Sequence, residues 1–194
     1  MTQITYIYAA RFQPFHRDHL QVIMEFLAHN SMPLVVAVVR PLRTDWLNQD
    51  QFDDVGDEHH KPARNPFSAV QVMSMVNAAL FKAGVAERTL LTVLPRPSHG
   101  RSWELIEQLF PQPRSWVIPQ RGESWDESKA LFFQQQGDSV LRISVPRTTS
   151  GQAIRANVYE QSRPAIESVP LGAKEVLRDL LHEEGNGPPN APSP

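Results

Sequence analysis

The chain has 194 residues, 41% of them hydrophobic and 21% charged, with a formal net charge of −2 at pH 7 and no cysteine. This is enough sequence for one globular core. It excludes a disulfide framework and thiolate metal ligation, and it offers no chain-wide basic field for nucleic acid.

No apolar run is long enough to span a bilayer, and no charged n-region followed by an apolar h-region opens the chain. The expected location is therefore cytoplasmic, with no membrane partner.

Residues 4–10, ITYIYAA, read as a strand buried on both faces. A helix is predicted from about His19 to His29, with Leu20, Ile23, Met24 and Leu27 on one face. Leu34–Val39 is a second apolar strand. Residues 41–64 follow no period and are predicted to be a mobile loop. Asn65-Pro66-Phe67-Ser68 then opens a helix with capping-box spacing from Ser68 to Gln71. Its buried stripe is Val72, Met73, Val76 and Leu80, and Gly84 ends it.

Thr89–Leu94 is the third strand. A helix from Ser102 carries Trp103, Ile106, Leu109 and Phe110. Ser115–Ile118 is the fourth strand. A polar helix over Ser124–Gln136 is expected to make its apolar contacts through Leu131 and Phe132. Val140–Val145 is the fifth strand, Ser150 caps a helix through Ile154 and Val158, and a last helix buries Val176, Leu177, Leu180 and Leu181. Residues 184–194 are Pro/Gly-rich and predicted to be a disordered tail.

Strands alternate with helices, and the strands are apolar runs. That predicts an α/β fold: a Rossmann-like five-stranded parallel sheet with helices on both faces and C-terminal helices beyond it. Ligands in such folds bind beyond the carboxyl ends of the strands. Arg11, His16 and His19 lie in the turn after the first strand, where a helix N-terminus presents free N–H groups and a positive dipole end. The turn reads as a phosphate site. Thr148-Thr149-Ser150, after the fifth strand, could face the same pocket. Arg121, Arg142 and Arg147 are single basic residues near strand ends.

Ala10-Arg11-Phe12-Gln13-Pro14-Phe15-His16-Arg17-Asp18-His19 resembles the GRFQPFHxGH signature of nicotinamide-mononucleotide adenylyltransferases, archaeal-type branch, within the HIGH-type nucleotidylyltransferase superfamily. Ser150-Gly151-Gln152-Ala153-Ile154-Arg155 resembles the second signature, SGTxIR. Asn65-Pro66-Phe67-Ser68 resembles the NPFT/S element of that branch.

The resemblance covers roughly residues 4–182 and implies a nucleotidylyltransferase-like domain over residues 1–183. It implies that AMP passes from ATP to a pyridine mononucleotide with release of pyrophosphate, in NAD biosynthesis. His16, His19, Arg11 and Arg155 would be the catalytic set. Arg11, Phe12, His16, His19, Ser150, Gly151 and Arg155 would hold ATP and its phosphates, and Mg²⁺ would arrive with the ATP. Trp103, Asn65 and Phe67 would meet the pyridine nucleotide, although a core role for Trp103 fits equally well. A homo-oligomer is compatible with this reading.

Three motif positions depart from the pattern. Ala10 stands for glycine, Asp18 for the glycine between the histidines, and Gln152 for threonine. Asp18 puts a negative charge beside a polyanion. It could obstruct ATP, help hold Mg²⁺, or swing aside to pair with Arg17 or Arg11. The departures leave two alternatives: a non-catalytic nucleotide-binding or sensing module, or a nucleotidylyltransferase for another phosphorylated acceptor.

Overall fold

The computed structural model describes residues 3–40, 65–97, 100–121, 124–159 and 167–183. The predicted loop at 41–64 and the tail at 184–194 lie outside the described residues. The elements in order are β1 (Thr5–Ala10), α1 (Arg17–His29), β2 (Leu34–Arg40), α2 (Ala69–Lys82), a 3-10 turn (Ala86–Arg88), β3 (Thr89–Pro95), α3 (Gly100–Leu109), β4 (Arg114–Pro119), α4 (Ser124–Gln135), β5 (Ser139–Ile143), α5 (Gly151–Tyr159) and α6 (Leu171–Glu183).

The five strands form one sheet in the order β3-β2-β1-β4-β5, and every neighbouring pair is parallel. Alternate residues serve opposite faces, as a doubly covered sheet requires. Leu34, Val36 and Val38 of β2 join one core cluster, together with apolar residues of α1, α2, α5 and α6. Val35 and Ala37 join the other, with Ile106 of α3 and Ala130 and Phe133 of α4. Each large side chain so buried contributes about 1.5–3 kcal/mol.

Local signals explain the helix ends. The Ser68–Gln71 capping box forms as predicted: Gln71 N–H donates to Ser68 Oγ at 3.2 Å, and Ser68 N–H donates to Gln71 Oε1 at 2.8 Å. Gly84 takes φ +70° just past α2, a conformation that suits glycine.

Several boundaries and faces differ from expectation. Helix α1 starts at Arg17, two residues early, because His16 takes the N-cap position with φ −135° and ψ 173°. Strand β5 ends at Ile143 because its partner β4 ends at Pro119, directly opposite. In α2 the buried set is Val72, Met75, Val76, Ala79 and Leu80, and Met73 is only partly buried. In α4 the buried positions are Asp126, Ala130 and Phe133, at i, i+4 and i+7, which turns Leu131 to the outside at 57% exposure. Leu109 of α3 is likewise exposed.

The sheet order reverses between β1 and β4. Their ladder pairs Thr5 with Arg114, Tyr6 with Ser115 and Ile7 with Trp116, and goes no further. Both strands run on for three more residues, Tyr8–Ala10 and Val117–Pro119. These ends stay paired to β2 and β5 but not to each other, and the gap between them opens the cleft described next. Among the described residues no helix is long and apolar enough to cross a membrane.

Candidate active site

A cleft of about 740 Å³ lies beyond the carboxyl ends of β1 and β4. Its floor is the β1–α1 turn. One wall is the segment leading into α5, and the other is the first two turns of α4. The walls come from opposite faces of the sheet, since Ile154 packs in one core cluster and Ala130 and Phe133 in the other. Among the described residues Arg11, Arg96, Arg121, Lys129, Arg147 and Arg155 line the cleft, with Asp126 as the one carboxylate. The chain as a whole carries a net −2, so positive charge is concentrated at this one place. A cleft of this size and sign suits a nucleotide polyphosphate.

The β1–α1 turn is held rigidly. Ala10 remains in β1, opposite Val38, in ordinary extended backbone. The left-handed residue is Phe12, with φ +53°. A non-glycine residue there costs about 1–3 kcal/mol. Ring contacts to Tyr8 at 5.7 Å, Phe15 at 5.4 Å and His19 at 4.9 Å hold it in place. The next residue, Gln13, locks the turn to the segment before α2. Its side-chain amide donates to Phe67 O at 2.9 Å and accepts from Phe67 N–H at 3.2 Å.

His16 and His19 stack at 3.6 Å between ring centroids. The His16 backbone N–H donates to His19 Nδ1 at 3.3 Å. A neutral His19 therefore carries its proton on Nε2, leaving that N–H for a ligand. Burial pushes His16 down to about 4, against the pull of the Asp18 carboxylate, and pushes His19 well below its usual value, aided by His16. Both rings are neutral donors at neutral pH.

Asp18 does not face the cleft. It is fully buried and is absent from the cleft lining. Its carboxylate accepts from Thr148 N–H at 3.0 Å, Thr148 Oγ1–H at 2.5 Å and Thr149 N–H at 3.1 Å. The aspartate ties the start of α1 to the segment before α5, 130 residues away. Burial opposes its ionisation, but these three bonds outweigh it and hold its pKa below the ordinary 3.8.

The second segment is clamped to the first at two further points. Arg155 Nη1 donates to the Gln13 carbonyl. A Cβ on Gly151 would lie 2.7 Å from that same oxygen, so glycine permits the close approach. Ser150 Oγ caps α5 by accepting from Ala153 N–H at 3.1 Å. Gln152 is exposed on the cleft rim.

The described geometry thus gathers Arg11, Phe12, His16, His19, Ser150, Gly151 and Arg155 at one cleft. It does not bring Trp103, Asn65 or Phe67 there. Trp103 packs behind the wall, 5.7 Å from Phe132 and 6.1 Å from Trp116, with the Arg114 guanidinium over its ring at 5.0 Å. Arg142 pairs with Glu127 at 2.5 Å. Arg96, Asp126 and Lys129 belong to neither motif and join the cleft only through the fold. The available signal for α4 was a stripe at 125, 128, 129 and 132, the spacing of one helical face.

The titration of these groups makes a prediction. His16 and His19 are depressed in the fold, so the unfolded chain binds their protons first. Their contribution is complete above the ordinary 6.5 and falls as pH drops, for His16 down to about 4, by at most about 1.4 kcal/mol per pH unit for each histidine. Asp18 stabilises above 3.8 and is lost below it. Denaturant midpoints should therefore decline from pH 6.5 to 4 and go on declining below, where Asp18 takes over from His16. In Asp18→Asn the decline below pH 4 should shrink, and stability at pH 7 should drop by about 1.5–3 kcal/mol.

No protein-family model matches the chain. Over 179 residues it is 22% identical to nicotinamide-nucleotide adenylyltransferase 1 of Sulfolobus acidocaldarius, covering 92% of this chain and 91% of the relative. Over 176 residues it is 26% identical to phosphonoformate cytidylyltransferase of Streptomyces viridochromogenes, covering 90% of each. Both relatives are nucleotidylyltransferases. Along nine-tenths of its length the chain is thus similar to two nucleotidylyltransferases, and the switch point of its parallel α/β sheet carries the segment Ala10–His19.

Proposed function

We propose that the protein transfers AMP from ATP to a pyridine mononucleotide, either nicotinamide or nicotinate mononucleotide, and releases pyrophosphate as a step of NAD biosynthesis. The observation that carries this reading is the convergence of both motif segments on one cationic cleft at the β1–β4 switch point. The relative from Sulfolobus, by its name, acts on a nicotinamide nucleotide.

In this reading a phosphate oxygen of the acceptor attacks the α-phosphorus of ATP. The new P–O bond forms as the bond to the bridging oxygen of pyrophosphate breaks, with no covalent enzyme intermediate. Catalysis is positioning plus electrostatics. His16 and His19, both neutral, donate N–H bonds to phosphoryl oxygens. The α5 N-terminus and Arg155 hold the outer phosphates. Mg²⁺ bound to the triphosphate would offset the charge that develops on the transferring phosphoryl. The Asp18 carboxylate is engaged by Thr148 and Thr149.

A second reading, transfer to another phosphorylated or phosphonate acceptor, draws on a specific observation. Trp103, Asn65 and Phe67, the side chains expected at a pyridine ring, lie outside the cleft lining. The Streptomyces relative is, by its name, a cytidylyltransferase for phosphonoformate.

Product masses decide between the readings. The protein is incubated with ATP or CTP, Mg²⁺, and each of nicotinamide mononucleotide, nicotinate mononucleotide and phosphonoformate. The first reading expects NAD or its deamido form with ATP. A cytidylyl or adenylyl phosphonate as the sole product would overturn it in favour of the second.

A further inference from the structure

The α4 wall brings cations that neither signature motif supplies. Arg121 follows β4 at the switch point, and Lys129 lies on the second turn of α4. Both line the cleft. Nε and Nη2 of Arg121 are closed off from solvent, and among the described residues neither finds a hydrogen-bond partner. Leaving such buried donors unmade costs about 1–3 kcal/mol. A fold that retains them keeps them for a group that arrives from outside.

Position narrows what that group is. Arg121 lies close enough to His16 and His19 to depress the pKa of each, so it stands over the same floor as the histidines. Burial lowers Lys129 to about 8. Asp126 resists the shift, while Arg11 and Arg121 add to it by repulsion. Three cations that repel one another across a cleft are stabilised together by an anion placed between them. The histidines, being neutral, contribute donors but no charge. Neutralising a polyphosphate therefore falls to guanidinium and ammonium groups, and those of the α5 wall reach it from one side only.

We infer that Arg121 and Lys129 bind phosphate directly and close the polyphosphate site from the α4 side, opposite Ser150 and Arg155. Asp126 is the buried counter-ion that keeps Lys129 protonated. The inference shares with the proposed function only the premise that a polyphosphate occupies the cleft.

The test is calorimetric titration of inorganic tripolyphosphate into the full chain at pH 7. Wild type, Arg121→Gln, Arg121→Lys and Lys129→Gln are compared, each with a measured melting temperature. Each glutamine variant should bind at least tenfold more weakly. Arg121→Lys, which keeps the charge and loses the fork, should fall between. The melting temperature of Arg121→Gln should stay within a few degrees of wild type, because Nε and Nη2 have no described hydrogen-bond partner to lose and Asp126 keeps Lys129 as its counter-ion.

Binding within twofold of wild type in either glutamine variant would remove that residue from the site, and a wild type that fails to bind tripolyphosphate would overturn the whole inference. So would lost binding in Arg121→Gln accompanied by a lowered melting temperature that Arg121→Lys shares, since that marks a structural role. The expected binding pattern in a protein that releases no pyrophosphate with any acceptor would count against the proposed function and leave this inference standing.

Discussion

Replacing Gly151 by alanine should lower turnover about a hundredfold while leaving the protein folded. The added Cβ would sit 2.7 Å from the Gln13 carbonyl oxygen and 3.2 Å from Arg155 Nη1. The carbonyl belongs to backbone and cannot rotate aside. It sits in a turn pinned by the paired Gln13–Phe67 hydrogen bonds and by the packed Phe12 ring. The α5 segment must therefore retreat, by several tenths of an ångström or more. It carries Ser150 and Arg155 with it and opens the site between the two motifs. Misplacement on the order of 1 Å costs about 10² in rate when catalysis rests on orientation. Steady-state kinetics beside a melting curve checks this. A hundredfold loss in kcat/KM with a melting temperature within a few degrees of wild type is expected, and unchanged kinetics would show that the two segments do not act as one site.

The largest loss of stability is expected at Asp138→Ala. Asp138 and Arg114 have fully buried side chains and meet at 2.9 Å. The carboxylate also accepts from Trp116 Nε1 at 2.7 Å and Gln112 Nε2 at 3.1 Å, while Arg114 Nη1 donates to Phe110 O at 2.8 Å. Truncation would leave a buried guanidinium with only the half-exposed Glu107 at 3.9 Å, and breaking a buried pair in this way costs about 3–5 kcal/mol. In a chain of this length each kcal/mol lowers the melting temperature by about 2–4 °C. A drop on the order of 10 °C is therefore expected by calorimetry. Asp138→Asn preserves the shape and the acceptor for Trp116 and should lose less. A drop below about 3 °C for the alanine variant would mean that the pair is hydrated and not a core feature.

The layout of the sheet was readable because parallel strands covered on both faces must be apolar at nearly every position. LVVAVV in β2 places Leu34, Val36 and Val38 on one face and Val35 and Ala37 on the other. Helix faces were only partly readable: in α1 Ile23 and Leu27 are buried as expected, but Val22 and Phe26 complete the buried face and Met24 points outward at 40% exposure. In α4 the run Ala130-Leu131-Phe132-Phe133 offers every face, and only the sheet beneath selects Ala130 and Phe133.

The two motifs marked the cleft because each is a local strand-to-helix turn. What Asp18 does was not readable. Its partners lie 130 residues on, and the choice between obstructing a phosphate and stapling Thr148 depends on a side-chain direction that spacing does not encode. Arg121 and Lys129 escaped for a related reason. They reach the histidines from the opposite layer of the sheet, a proximity that strand order creates.

The measurement that bears most directly on the central claim is pyrophosphate release by the purified chain with ATP, Mg²⁺ and a panel of mononucleotides, run beside His16→Ala. Acceptor-dependent release in the wild type and its near loss in the variant are expected. Release that is absent with every acceptor, or that proceeds equally in His16→Ala, would contradict the claim.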